Sequence, residues 1–324
     1  MLIDNHQRQF HYLRLSITDV CNFKCNYCLP DGYQCDSERT FLDLEEIRLL
    51  VTSFAELGVS KVRITGGEPA LRRDLKDIIA TIKAIPGISN VALTTNGFNL
   101  EQNIESWVHA GLDALNVSID SLNPEAFRII TGSNRHQSIL RGIDKALALG
   151  VPKVKVNTVL MREYNLDQLS SFLDWLMHKP VSLRLIELMQ TGDNKDFFAK
   201  QHVKAEQIKA DIEKQGWVPI VRSKDAGPAQ EFCHPGFAGK IGFITPYSKD
   251  FCISCNRLRV SALGNLHKCL FAEEGQNLRH LLVSEQQKPE LKLWLQEQLQ
   301  TKEISHYLAE QQVGATKHLA MLGG

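Results

Sequence analysis

Six times within roughly the first 190 residues, a short β-rich run gives way to a stretch of helical periodicity, and that rhythm limits what the chain can become. The runs are YLRLSI (12–17), KVRIT (61–65), NVALTT (90–95), ALNVSI (114–119), KVKVNTVL (153–160) and LRLIELM (183–189). Apolar residues recur at helical spacing over 42–58, 74–85, 100–111, 138–150 and 167–178. Repeated strand–helix steps build a parallel sheet with helices outside it. Because each step repeats the last, the sheet is expected to curve into a barrel, and six units leave that barrel incomplete. After Met189 the rhythm stops. The expectation is an α/β fold in two parts: an incomplete (β/α)6 TIM-like barrel over 1–189, and a less regular C-terminal subdomain over 190–324 covering its open side.

In such sheets the working residues collect at the C-terminal ends of strands and in the loops just after them. Cys21, Cys25 and Cys28, in DVCNFKCNYC, follow the first run. TGGEP (65–69), TTNG (94–97) and SIDS (118–121) close the next three. A second set, Cys252, Cys255 and Cys269, lies in FCISCNRLRVSALGNLHKC. The first residues contain no apolar leader, and no apolar run is long enough to cross a bilayer, so a cytoplasmic chain is expected. There, eight cysteines point to metal or redox chemistry rather than to disulfides. Three thiolates on one loop can hold three irons of a cubane cluster and leave the fourth iron open to a ligand. On spacing alone, zinc satisfies the same sets, with Cys35 as fourth ligand at the first, and His267 or Cys233 at the second.

Lys plus Arg and Asp plus Glu number 37 each, so the whole molecule has no charge bias toward nucleic acid or an anionic membrane. Arg14, Lys61, Arg63, Lys155 and Arg184 nevertheless lie within or beside the strands, and alternation sets Lys61 and Arg63 on one face. A cation inside a sheet is costly unless it is paired or meets an anionic ligand. Asn157 shares the face of Lys155. No GxxxxGK[ST] loop is present, so a polyphosphate would have to be met by separate side chains such as these.

The CxxxCxxC loop with Tyr27 before its last cysteine, and GGEP after the next strand, resemble the radical S-adenosylmethionine (SAM) superfamily. With KVRITGGEP, TTNG, NVSIDSL, KVNTVLM, CxxCNRxR and a terminal Gly-Gly, the chain resembles the GTP 3′,8-cyclase family of molybdenum-cofactor biosynthesis, from about Arg14 to Gly324. The resemblance implies a barrel of the radical SAM type and three cofactors: SAM and two 4Fe–4S clusters. One cluster would sit on Cys21, Cys25 and Cys28 and bind SAM; the other would sit on Cys252, Cys255 and Cys269 and bind the substrate, GTP. It implies SAM contacts at Tyr27, Gly66, Gly67, Glu68, Ser118 and Met189. GTP contacts are implied at Arg14, Lys61, Arg63, Thr94, Lys155 and the segment Arg257, Leu258 and Arg259, to which the charge and alternation arguments add Arg184 and Asn157. Arg257, Arg259, Gly323 and Gly324 would serve ring closure. In the implied reaction a 5′-deoxyadenosyl radical removes hydrogen from C3′ of GTP, and the carbon radical adds to guanine C8, giving 3′,8-cyclo-7,8-dihydro-GTP. The implied partners are an electron donor such as flavodoxin or ferredoxin, and a downstream cyclic pyranopterin monophosphate synthase. No nucleic-acid or membrane partner is expected, and a monomer or a homodimer fits equally.

Overall fold

The structure is a computed structural model that describes residues 1–35, 39–222, 226–271 and 275–323. Six strands form where the β-rich runs predict them: β1 (Tyr12–Ser16), β2 (Lys61–Thr65), β3 (Asn90–Thr95), β4 (Ala114–Ser118), β5 (Lys153–Leu160) and β6 (Ser182–Glu187). They lie side by side in chain order, all parallel. Alternation gives each strand two faces. Leu13, Ile64, Leu93, Leu115, Val156 and Leu183 belong to the main apolar core. Each such side chain, fully buried, contributes about 1.5–3 kcal/mol. The opposite face carries Arg14, Arg63, Thr94, Asn116, Asn157 and Arg184 into the barrel.

The connecting helices are α1 (Leu44–Glu56), α2 (Leu75–Ala84), α3 (Leu100–His109), α4 (Pro124–Thr131), α5 (His136–Ala148) and α6 (Leu169–His178). Helix α1 starts on a capping box formed by Asp43 and Glu46, and it buries Ile47, Leu50, Val51 and Phe54. Helix α4 has no counterpart in the periodicity reading. Its signal is present all the same: Asn123 caps Glu125 N and Ala126 N, and Pro124 occupies the first turn.

Beyond Met189 the chain adds α7 (Lys195–Gln201), α8 (Glu206–Lys214), β7 (Val218–Pro219), β8 (Gln230–Cys233), β9 (Lys240–Ile244), β10 (Arg257–Val260), β11 (Asn265–His267), β12 (Gln276–Asn277) and α9 (Lys288–Leu299). Strand β9 lies parallel against β6, and β10 lies parallel against β1. The C-terminal part therefore extends both edges of the six-stranded sheet. The full strand order is β12-β11-β10-β1-β2-β3-β4-β5-β6-β9-β8-β7. Among the described residues, no helix is long and apolar enough to cross a membrane.

Candidate active site

The loop carrying Cys21, Cys25 and Cys28 leaves β1 and is clamped by the loop after β2. Gly67 N donates to Thr18 O at 2.9 Å, and Glu68 N donates to Val20 O at 2.7 Å. A Cβ on Gly66 would stand 2.3 Å from Thr18 O, and one on Gly67 would stand 2.3 Å from Val20 O. Glycine is needed here because two backbones touch. The cysteine loop itself sets that requirement, apart from any ligand. Glu68 is fully enclosed. Its Oε1 accepts from Ala70 N at 2.9 Å and Thr95 Oγ1 at 2.6 Å, and its Oε2 accepts from Asn96 N at 2.6 Å. Burial nevertheless lifts this carboxyl to about 7. Asn96 in turn places Nδ2 4.0 Å from Cys21 Sγ. One carboxylate thus ties the ends of β2 and β3 to the first cysteine.

Burial also drives the other thiols of this loop up, Cys28 to about 12, with Cys21 adding to the effect. Backbone N–H groups of Leu319 and Ala320 hydrogen-bond to Cys28. Tyr27 donates its hydroxyl to Asp120 Oδ2 at 3.0 Å. Met189 packs with Cys28 on a small apolar cluster that includes Leu270, Phe271, Leu319 and Leu322. Ser118 stands at the end of β4, level with Asn157, and does not line the cavity described next.

Inside the barrel lies a cavity of ≈ 920 Å³, part of it open to solvent. Each of the six strands lends it at least one inward residue, and Arg257, Arg259, Cys252, Cys255, Cys269 and Met189 complete much of the wall. Strand β10 runs parallel to β1. Cys255, two residues before β10, therefore sits at the opposite end of the barrel from Cys21, which follows β1. The two groups of three thiols face each other across a basic interior.

Arg63, Arg184 and Arg259 are 4, 5 and 8% exposed. Arg63 Nη1 donates to Thr94 Oγ1 at 3.0 Å, and Arg184 Nη2 meets Glu231 Oε1 at 2.8 Å. Nε of Arg184 and of Arg259, and Oδ1 of Asn116 and of Asn157, are buried without a hydrogen-bond partner among the described residues. Burial, then Arg257, pulls Arg259 down to about 10. Burial, then Arg184 and Arg63, pulls Lys155 down to about 6. Such a concentration of cations and orphaned polar atoms suits an anionic, hydrogen-bonding ligand. The second thiol set shares this field. Burial alone would raise Cys255, but Arg257, Lys302 and Arg259 bring it down to about 7.

Lys61 and Lys155 line a second cavity, at the N-terminal ends of the strands, and Arg184 belongs to both. The basic lining therefore continues from one cavity to the next. Leu258 corrects an expectation. It points away from Arg257 and Arg259 into the main core, 1% exposed, so only its backbone can face a ligand. Gly323 O accepts from Arg14 Nη2 at 2.5 Å, and a Cβ on Gly323 would strike Thr65. Among the described residues the tail thus bonds to Arg14, the register neighbour of Arg259. Gly324 lies outside the described residues. Sequence reasoning missed Asn116 and Asp120, although each is one alternation step from Ser118. It also missed Glu231, which carries no local signal, and Tyr12, treated below.

The donor chemistry fits iron–sulfur clusters at both ends. Each set is three thiols that feel one another's charge. No three Cys, His, Asp or Glu side chains among the described residues are grouped to hold a single metal ion. His267 lines a separate cavity beside Asp19 and Arg39, and Cys233 lies on β8, opposite Val218 of the edge strand β7. Neither lines the cavity that holds Cys252, Cys255 and Cys269.

The curved parallel sheet with a three-cysteine loop at its mouth is the architecture of radical SAM proteins. The model of the Radical SAM superfamily matches residues 15–176, and that of Molybdenum Cofactor Synthesis C matches residues 181–308. Streptococcus suis SuiB bound to S-adenosylmethionine has the same fold, at TM-score 0.59 and 13% identity, over 88% of this chain and 68% of that one. The GTP 3′,8-cyclase of Psychromonas ingrahamii is 54% identical over 323 residues, covering 100% of this chain and 95% of that protein. The one of Vibrio vulnificus strain YJ016 is 52% identical, covering 99% and 97%. The chain belongs to the GTP 3′,8-cyclase family.

Proposed function

We propose that this chain cyclises GTP in molybdenum-cofactor biosynthesis, with SAM beside Cys21, Cys25 and Cys28 and GTP in the basic cavity facing Cys252, Cys255 and Cys269. The observation that carries the reading is one barrel interior, rich in buried arginines, with three thiols at each end. When bound, a reduced 4Fe–4S cluster with SAM supplies one-electron cleavage of the sulfonium, the source of the radical that removes hydrogen from C3′.

The chain's own residues bind, orient and shield. Tyr27, Gly66, Gly67, Glu68, Ser118 and Met189 border SAM; Glu68 acts through the fixed backbone of the loop after β2. Arg63, Arg184, Lys61 and Lys155 take up the triphosphate, whose length suits the continuation from the first cavity into the second. Arg14, Thr94, Asn157, Arg257 and Arg259 hold the ribose and base so that C3′ lies against C8, a gain from orientation rather than from acid–base catalysis. The Leu258 backbone runs beside them. The Gly-Gly tail serves ring closure, with Gly323 anchored on Arg14. Cys252, Cys255 and Cys269 would hold the second 4Fe–4S cluster, which would supply an open iron as a ligand site for the guanine. The division at 189/190 then separates the radical-forming part from the part that completes the substrate site. A flavodoxin- or ferredoxin-type donor supplies the electron, and a cyclic pyranopterin monophosphate synthase consumes the product. We place the protein in the cytoplasm.

Anaerobic reconstitution tests the reading. Wild type is expected to hold about eight irons, and the Cys252→Ala, Cys255→Ala, Cys269→Ala variant about four. The variant should still cleave SAM to 5′-deoxyadenosine while yielding no cyclised nucleotide. Zinc in the second site of anaerobically purified protein, or an unchanged iron count in the variant, contradicts it.

A further inference from the structure

Tyr12 stands on the inner face of β1, two residues before Arg14 and level with Lys61 on β2 and Arg257 on β10. It is 3% exposed and lines neither cavity. Its hydroxyl is hydrogen-bonded to Arg63 Nε. Lys61 Nζ lies 4.6 Å from the centroid of its ring, and Arg63 Cζ lies 5.8 Å from it. From the other side, Thr94 Oγ1 accepts from Arg63 Nη1. Arg63 is thus gripped from two neighbouring strands, with the outer edge of its fork left toward the cavity.

Cations approach Tyr12 from every strand around it: Arg14 on β1, Lys61 and Arg63 on β2, Arg257 and Arg259 on β10, and Arg184 across the barrel on β6. On the β6 side a carboxylate, Glu231, answers Arg184. Among the described residues Arg63 has no carboxylate partner. The oxygen of Tyr12 occupies that place.

We propose that Tyr12 is a positioning residue for GTP binding, holding Arg63 and Lys61 as their local counter-group in the substrate-free barrel and yielding that role, protonated, when the triphosphate arrives. The inference rests on the reading of Arg63 and Lys61 as triphosphate contacts. Burial by itself would raise this phenol, but Arg63, Arg14 and Lys61 outweigh it and bring it down to about 7. A triphosphate among the same cations removes their stabilisation of the phenolate, and the phenol then takes a proton from solvent. Binding is therefore coupled to protonation, and GTP affinity falls as pH rises above about 7. Lys155 takes up a proton on binding and the γ-phosphate sheds one among the cations, and both contributions are the same in any variant that keeps them.

Tyr12→Phe keeps the ring and removes the oxygen. The test is calorimetric titration of the anaerobic, cluster-loaded protein with GTP, without reductant, across about pH 6.5 to 8.5. Near the lower limit, where the phenol is largely neutral, the variant should bind GTP about five- to tenfold more weakly, because Arg63 has lost one of its two holds and must be ordered by the ligand. Near the upper limit the order should reverse, with the variant binding about two- to fivefold more tightly, because only wild type must protonate Tyr12 and loses about 25-fold in affinity across this range. A gap that is constant with pH, which a merely structural role would give, overturns the proposal. So does the absence of any gap. Arg63→Ala in the same titration separates the two levels of inference. If it binds GTP like wild type, the triphosphate reading fails. If it binds weakly while Tyr12→Phe runs parallel to wild type, the role of Tyr12 alone fails.

Discussion

At the scale of single residues, the barrel interior is dominated by a concentration of buried cations. Arg63, Arg184 and Arg259 are buried, yet among the described residues only Arg184 of the three has a carboxylate partner, Glu231. Losing one charge-assisted contact to a bound anion costs about 1.5–3 kcal/mol, or roughly ten- to over a hundredfold in affinity. Arg63→Ala and Lys155→Ala should each weaken GTP binding by that order while SAM binding changes little, as equilibrium titrations with each ligand would report. Lys155 adds a pH dependence of known sign. Without substrate it is held down to about 6 by burial and by Arg184 and Arg63. Bound triphosphate favours the ammonium, so the full contribution of Lys155 is present below about pH 6 and declines as pH rises above it. Lys155→Ala should flatten that part of the profile. An unchanged affinity in both variants would remove the triphosphate role.

At the scale of elements, the fold was legible where local periodicity and local position decide the outcome. All six barrel strands formed where alternation and β-rich composition put them, and their helices followed. Helix α4 escaped because eight residues span barely two turns, too short for a periodic signature, although its cap was readable at Asn123–Pro124. The joining of β9 and β10 to the barrel edges was not legible. Pairing between β1 and β10 links residues some 245 positions apart, and nothing local encodes it. The same contrast holds for the site. The thiols, the glycines and Arg63 announced themselves by motif or alternation, whereas Glu231 matters only through a contact made in space. The motif glycines also show that a right residue can be read for an incomplete reason. Gly67 is fixed by the carbonyls of Asp19 and Val20, 2.5 and 2.3 Å from where a Cβ would stand. Gly67→Ala should therefore push the cysteine loop off β2 and cost the first site its iron, leaving about four of eight irons per chain. Retention of all eight would show that the clamp is not needed to assemble that site.

At the scale of the whole molecule, the arrangement is one parallel sheet whose two ends carry different chemistry. The mouth after β1 to β4 holds thiols raised by burial, and the far end before β10 holds Cys255 in a field of arginines. The tail runs between them, packing Leu319 and Leu322 on residues that also touch Cys28 and Cys269. Such a layout makes sense if one end generates a reactive group and the other fixes the molecule it attacks, with water kept out of the space between. The central claim is then that the group formed at the mouth acts directly on C3′ of the nucleotide held in the cavity. GTP carrying deuterium only at C3′ tests this most directly, in an anaerobic reaction with SAM and reductant analysed by mass spectrometry. The account predicts deuterium in 5′-deoxyadenosine, one atom for each cyclised nucleotide formed. Cyclised nucleotide that forms while the 5′-deoxyadenosine stays unlabelled would contradict it.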